Sequence, residues 1–422
     1  MIKVLKKFGV MLCMILLGTV VGWLSLAVVF TIPTERLEKN AAVMADVLLA
    51  ENTYPSVGGQ KSQTLDNWTD SLMVLAAGYR NEETGIMDNV ENVYIRGNWD
   101  QNPADILLRY YKGHEEMGTF PYGRYWHGYL VFLKPILSFV DYAGWRGINQ
   151  MFQIALMVVL IGLMLWRKQY ASVIPVGFTL LLLRPVAIRY SLQYSTIFDI
   201  VLLSGIAILL FYKKLKARKW GAYLFCLMGM STSFFDLLTY PVAALGLPLL
   251  FWLMQSDFAE NWINKLKEVV GYSASWCLGY IGLWLMKWIV SDVVFHGNVI
   301  QSAVDAVKTR ASSSVSGQTV GKLETIQRNM SLCFSESYQW IFVVLLGILV
   351  VVVMSCFWKN VKQNWRQMIP YLCIALYPFV WYFGATNHAY IHTFFEYRNL
   401  SVFALALLLM MTQFMRAGAK KA

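Results

Sequence analysis

Charge is what this chain of 422 residues has least of: Asp, Glu, Lys and Arg make up 14% of it, against 57% hydrophobic residues. A soluble domain carries about a quarter charged residues, so a water-surrounded globule of this size is excluded. Cysteine is sparse, and the six present (Cys13, Cys226, Cys277, Cys333, Cys356, Cys373) show no CxxC or other metal spacing. That argues against a zinc module and against a disulfide framework. Glycine-rich phosphate loops are missing from the short basic segments, so an ATP-driven pump would lack its nucleotide site. Internal repeats, heptads and low-complexity tracts are missing too. The net charge of +11 comes without any basic stripe interleaved with aromatics in a soluble segment, which excludes nucleic acid as a partner.

What is present is apolar residues in blocks of about twenty, the length that crosses a bilayer's hydrocarbon layer. They predict an all-α integral membrane protein of about ten transmembrane helices, a single transmembrane domain over residues 1–422. Spans are expected at 8–32, 143–166, 171–187, 192–212, 220–239, 241–255, 269–291, 338–357, 368–386 and 399–415. Basic residues collect at alternate block ends: Lys3, Lys6 and Lys7; Arg167 and Lys168; Lys213, Lys214, Lys216, Arg218 and Lys219; Lys265 and Lys267; Lys359, Lys362 and Arg366; Arg416, Lys420 and Lys421. By the positive-inside rule both termini are cytoplasmic, in a multi-pass protein of the plasma membrane. The first block is too long for a signal-peptide core and has no small-residue cleavage site, so it reads as an uncleaved span.

Residues 33–127 then form a large first external loop, with 14 acids from Glu35 to Glu116 against 8 Lys and Arg. Segment 128–142, too short to span and holding Lys134 and Pro135, extends it to 33–142 as an interfacial or re-entrant piece. Apolar patches opened by Asp46-Val-Leu-Leu and Asp105-Ile-Leu-Leu are expected of helices lying on the membrane surface. A second external loop, 292–337, is rich in Ser and Gly between Ser312 and Gly317 and is expected to be mobile. A short cytoplasmic amphipathic segment around Lys265 and Lys267 is expected before the span at 269–291.

The ionisable residues in or beside the spans carry the functional signal. Arg124, His127, Arg184, Arg189, Asp199, Asp236, Lys287, His388, His392, Glu396 and Arg398 all fall in the outer third of the membrane or just above it. An intramembrane charge is costly unless paired or facing water, so such residues mark a site by default. Pairs such as Asp199 with Arg184 or Arg189, and Asp236 with Lys287, would instead pin helices together. Helix pins have no reason to prefer one leaflet, which favours a binding site. Arg124, Arg184, Arg189, Lys287 and Arg398 suit a phosphate or pyrophosphate, which Arg grips bidentately and Lys binds as a point charge. His127, Asp236, His388, His392 and Glu396 would line the same cleft. In LDNWTDSLM, Asp66 and Asp70 are four apart and share one side of a helix. Either is placed to serve as a general base; Asp66 alternatively caps that helix. His388, His392 and Glu396 are compatible with a divalent metal, but no Glu follows the first His as in zinc hydrolases. Neither metal nor any other cofactor is indicated, and His114 with Glu115 and Glu116 is a weaker candidate still. The sequons at Asn67, Asn329 and Asn399 read as chance.

The layout resembles the C-type glycosyltransferase superfamily of multi-spanning enzymes that use lipid-linked sugars, over residues 1–166 most closely. LDNWTDSLM, RYWHGY, FFDLLTYP and NHAYIHTFFEYR also resemble a group of bacterial membrane proteins associated with cell-surface polysaccharide. The resemblance implies a polyprenyl-phosphate-linked sugar as donor, a glycan or lipid as acceptor, membrane lipids as surroundings, and an acidic base in the first external loop, here Asp66 or Asp70. It implies an outer-face membrane glycosyltransferase with cations stabilising the departing phosphate. No DxD or ExD motif is present, unlike some members of that superfamily. A transporter or translocase of lipid-linked saccharides is the alternative from another class, and a polysaccharide polymerase or ligase is a close chemical relative.

Overall fold

The computed structural model describes residues 2–419. Lys420 and Lys421, expected at the inner end of the last span, lie outside the described residues, as do the side chains of Lys3 and Arg416. Among the described residues the chain is almost wholly helical, with two two-stranded hairpins, Tyr94–Arg96 with Thr119–Pro121 and Ser314–Val315 with Gln318–Thr319. Six helical stretches are long and apolar enough to cross a membrane, and Tyr170–Leu182, Gly221–Phe235 and Pro241–Gln255 are shorter apolar helices. One of the six, Ser337–Gly384, holds two of the expected spans; the chain turns between them at Trp365–Met368. Leu16, Leu17, Val20, Val21, Leu24 and Val28 on the first helix, Ile2–Phe30, point away from the protein, as do Val343, Val344, Ile348 and Val351 on Glu336–Asn364. A surface that apolar faces lipid, not water.

Two boundaries differ from expectation. The expected span 171–187 stops as the helix Tyr170–Leu182, because Arg184 takes a left-handed conformation (φ +60°) and Pro185 starts a new turn. Residues 262–294 form one continuous helix, so Lys265 and Lys267 lie on the first turns of the long helix Trp262–Val294 and not on a separate segment. Lys265 is buried there, donating to Gln367 Oε1 at 2.9 Å.

The tightest pairing joins Gly221–Phe235 to Trp262–Val294. Gly229 lies against the backbone carbonyl of Trp276, and Gly279 against that of Cys226, each close enough to leave no room for a Cβ. With little hydrophobic drive between helices in lipid, small residues that let backbones touch are what hold such pairs.

The segment expected to be the first external loop folds into its own layer. Helices Glu35–Glu51 and Pro103–Tyr111 pack against each other, burying Leu37, Met44 and Leu48 with Ile106 and Leu107. The apolar patches read as membrane-surface helices thus face the loop's own core, because two amphipathic faces brought together are buried more completely against each other than at an interface. Helix Leu130–Leu137, with Pro135 inside it, covers the segment expected to be interfacial, and Lys134 is buried and donates to the Ala77 carbonyl at 2.6 Å.

Polar ties join this layer to the bundle. Arg146 grips Glu51 bidentately at 2.6 and 2.8 Å, Trp126 donates to the Leu283 carbonyl, and Tyr397 donates to the Ser62 carbonyl. The second loop is likewise structured: helix Val299–Ala311, the hairpin at Ser314–Thr319 and helix Lys322–Cys333. The stretch Ser312–Gly317, expected to be mobile, is the hairpin itself, with Gly317 at φ +80° and Asn387 bonded to the carbonyls of Ser312 and Ser314. Asn67, Asn329 and Asn399 are buried and hydrogen-bonded, so these sequons are not glycan acceptors in the folded chain.

Candidate functional site

The five expected phosphate ligands divide into groups with different partners. Lys287 is wholly buried, donating to the carbonyls of Val90 and Glu91 and lying 3.7 Å from the Glu91 carboxylate. It pairs with Glu91, not with Asp236, and fastens the short helix Ile86–Asn92 to Trp262–Val294. Arg398, also wholly buried, donates to the carbonyls of Leu183 and Phe394 and sits 4.4 Å over the Tyr194 ring. Arg184 contacts Ser335 Oγ at 3.2 Å and lies on the Tyr338 ring at 3.4 Å. Arg189 donates to Gln150 and to Tyr190, so neither Arg184 nor Arg189 pairs with Asp199. Arg124 stands apart from these, its backbone carbonyl accepting from Trp288 and its guanidinium 5.6 Å from the Tyr122 ring.

Both candidate bases occupy helix caps. Asp66 caps its own helix, Asn67–Ala77, accepting from Thr69 N at 3.0 Å and Thr69 Oγ1 at 2.8 Å. Burial pushes its carboxyl up to about 6 against those two donors. Asp70 caps a different helix, Leu192–Ala217: it accepts from Leu192 N, Gln193 N, Ser191 Oγ and Tyr142 Oη at 2.9 to 3.3 Å. Burial pushes it up to about 7, opposed by the Gln193 and Leu192 amides. Four donors occupy the roughly four lone-pair sites a carboxylate offers. His127 is equally engaged, accepting from Tyr129 Oη and donating to the Tyr122 carbonyl, and burial holds it down at about 3.

An aromatic-walled cavity lies elsewhere. A cavity of about 630 Å³ runs along one face of Trp262–Val294, where Ser273, Trp276, Tyr280, Trp284 and Trp288 recur at helical spacing. Their rings form a column, with successive centroids 4.7, 4.8 and 5.8 Å apart from Trp276 to Trp288. At 1.5 Å per residue the face from Ser273 to Trp288 is about 22 Å long. Arg124 and Arg310 line it, Arg124 at the Trp288 end and Arg310 beside Tyr125, and among the described residues no carboxylate does. Trp276 Nε1, Tyr280 Oη and Trp284 Nε1 are buried without a hydrogen-bond partner among the described residues. Orphaned donors of this kind in a native wall call for an explanation, and an absent ligand is one.

No family model, curated protein or solved structure matches this chain.

Behind the groove's wall is a buried carboxylate–imidazole pair. Trp381, which lines the groove, donates its indole N–H to Glu396 at 2.9 Å, and Asn399 Nδ2 donates to the same oxygen at 2.7 Å. Glu396 Oε1 lies 3.2 Å from His388 Nε2, which also donates to the Leu238 carbonyl at 2.9 Å. Those two acceptors put the proton on Nε2 and leave Nδ1 bare, and Nδ1 has no partner among the described residues. His388 lies between the apolar stretches Ser337–Gly384 and Thr393–Met415, and burial pushes it down to about 3. It is a neutral imidazole whose bare acceptor nitrogen is buried, held in one tautomer by the Leu238 carbonyl with Glu396 beside it. His392 is beside it, ring centroids 4.7 Å apart. Asp236 accepts from Thr239 N at 2.9 Å and from its hydroxyl, closing the turn that carries Leu238. No group of three His, Cys, Asp or Glu side chains among the described residues forms a metal-ligand set.

The structure thus brings Asp236, His388, His392 and Glu396 together, with Arg310 in electrostatic reach of the two histidines, and leaves Arg124, Arg184, Arg189, Lys287 and Arg398 at other posts. Arg310 was missed by sequence reasoning. It sits in the loop read as mobile, and only its position at the end of an amphipathic stretch, VIQSAVDAVKTRA, could have pointed to it.

Proposed function

We propose that this chain is an outer-face membrane glycosyltransferase that takes its sugar from a polyprenyl-phosphate-linked donor. The observation that carries the reading is the aromatic groove with Arg124 and Arg310 lining it. An apolar wall about 22 Å long suits an isoprenoid chain, and two guanidiniums beside it suit a phosphate. In this reading ten spans leave both termini in the cytoplasm, supported by the basic cluster Lys213, Lys214, Lys216, Arg218 and Lys219 at one end of Leu192–Ala217.

The base in this reading is His388, not Asp66 or Asp70. An acceptor hydroxyl loses its proton to His388 Nδ1 as its oxygen attacks, and the Glu396 carboxylate offsets the burial that otherwise disfavours the imidazolium, as a carboxylate does in a catalytic triad. The oxygen attacks the anomeric carbon, the bond from that carbon to the phosphate oxygen breaks, and the electron pair departs with the phosphate. The anomeric centre is inverted. Arg124 and Arg310 stabilise the charge developing on the leaving group.

The test is binding of a polyprenyl-phosphate sugar to purified chain in nanodiscs. Arg310→Gln and Arg124→Gln should each weaken binding about tenfold, the value of one charge-assisted contact, with melting unchanged. Parent protein that neither binds the donor nor releases polyprenyl phosphate from it would overturn the reading.

A further inference from the structure

A second cavity, of about 780 Å³, opens on the other side of the segment that carries His388 and His392. Its walls come from the loop at 60–64, helix Lys322–Cys333, the residues Ser335, Ser337 and Tyr338, and Ile391, Thr393 and Phe394. Its character is opposite to the groove's. Hydroxyls dominate, and the ionisable groups lining it are Lys61 and Arg328, both exposed. Arg328 lies 4.5 Å over the Tyr390 ring, a position that leaves its guanidinium edge free for a ligand.

Directly behind this wall stands Arg184, 3% exposed. Its one contact with a wall hydroxyl is Ser335 Oγ, its face lies on the wall residue Tyr338, and Nε and Nη1 have no partner among the described residues. A buried guanidinium with two orphaned donors, held at φ +60°, is a costly arrangement. Lys61, Arg328 and Arg184 make the cleft positive within an external face whose first loop is acidic.

We infer that this cleft binds an anionic saccharide, the acceptor whose hydroxyl the transferase glycosylates. Hydroxyls and a flat aromatic face are what a sugar ring meets in a binding cleft, and three cations, with no carboxylate lining the cleft among the described residues, select for a carboxylate or phosphate on that sugar. The inference rests on the transferase reading for the acceptor's role, while the cleft's binding is measured without any donor.

The experiment uses the full chain in nanodiscs and calorimetric titration with tetragalacturonate, maltotetraose and inorganic phosphate. Tetragalacturonate should bind, maltotetraose at least about tenfold more weakly, and the surface double variant Lys61→Gln/Arg328→Gln should lose about tenfold in tetragalacturonate affinity. That double variant should leave donor binding unchanged, and Arg310→Gln should leave tetragalacturonate binding unchanged, so failure of the cleft and failure of the groove are read separately. Equal binding of maltotetraose, an unaffected double variant, or phosphate displacing tetragalacturonate at equal concentration would overturn the inference.

Discussion

Lys287 on helix Trp262–Val294 and Arg310 on helix Val299–Ala311 are both cations, and they have opposite surroundings. Lys287 is saturated, with two carbonyls and a carboxylate around its ammonium and no exposure at all. Arg310 lines an open groove beside aromatic rings, 5.8 Å from that of Tyr125. Buried charge therefore does not by itself mark a site. What separates pin from ligand is whether the group's hydrogen-bonding capacity is already filled by protein.

The largest effect should come from breaking the buried Lys287–Glu91 pair. Lys287→Ala leaves the Glu91 carboxylate buried and alone, which costs about 3–5 kcal/mol. Thermal melts of detergent-purified protein should show it, and the double change Lys287→Met with Glu91→Leu should recover most of the loss. No loss in the single variant would remove the distinction between the two cations.

Next in size is His388→Gln. Loss of a general base slows the chemistry by about a hundredfold or more, with donor affinity and melting temperature little changed. Asp70→Asn should show the reverse pattern. Its new NH₂ would face the amides of Leu192 and Gln193, lowering stability by about 1–3 kcal/mol and activity only as far as folding fails. A stable but inactive Asp70→Asn would return the base to the first external loop.

The smallest effect concerns pH. Asp66, pushed up to about 6, and Asp70, pushed up to about 7, hold protons more tightly in the folded chain than unfolded, where an aspartate titrates near about 3.9. Their contribution to stability is full below about pH 4 and lost as pH rises through the folded values. Asn caps a helix about as well as Asp, so Asp66→Asn should keep its activity while its melting temperature falls less than the parent's between pH 4 and 6. Parallel curves would show that the fold accommodates the Asp66 charge without cost.

The pinning alternative was legible for individual residues, but its partners were not. Asp236 was expected to reach Lys287, yet Lys287 found Glu91, 196 positions away along the chain. Asp199 was expected to meet Arg184 or Arg189, and each arginine found hydroxyl, amide or aromatic partners instead. Helix capping was readable for Asp66, because the N-cap rule is local. It was not readable for Asp70, which caps a helix more than a hundred residues later.

Sequence alone determined that the chain is helical and that its apolar blocks are long enough to meet lipid. Those properties follow from residue spacing and composition, which act over one or two turns of helix. Tertiary structure alone decided which cations are spent as pins, that 292–337 is a folded element lending Arg310 to the groove, and that His388 keeps a bare nitrogen. Each of those depends on which side chains reach one another across distant segments, and a hydrogen bond is made or missed within a few tenths of an ångström, a distance that no local pattern encodes.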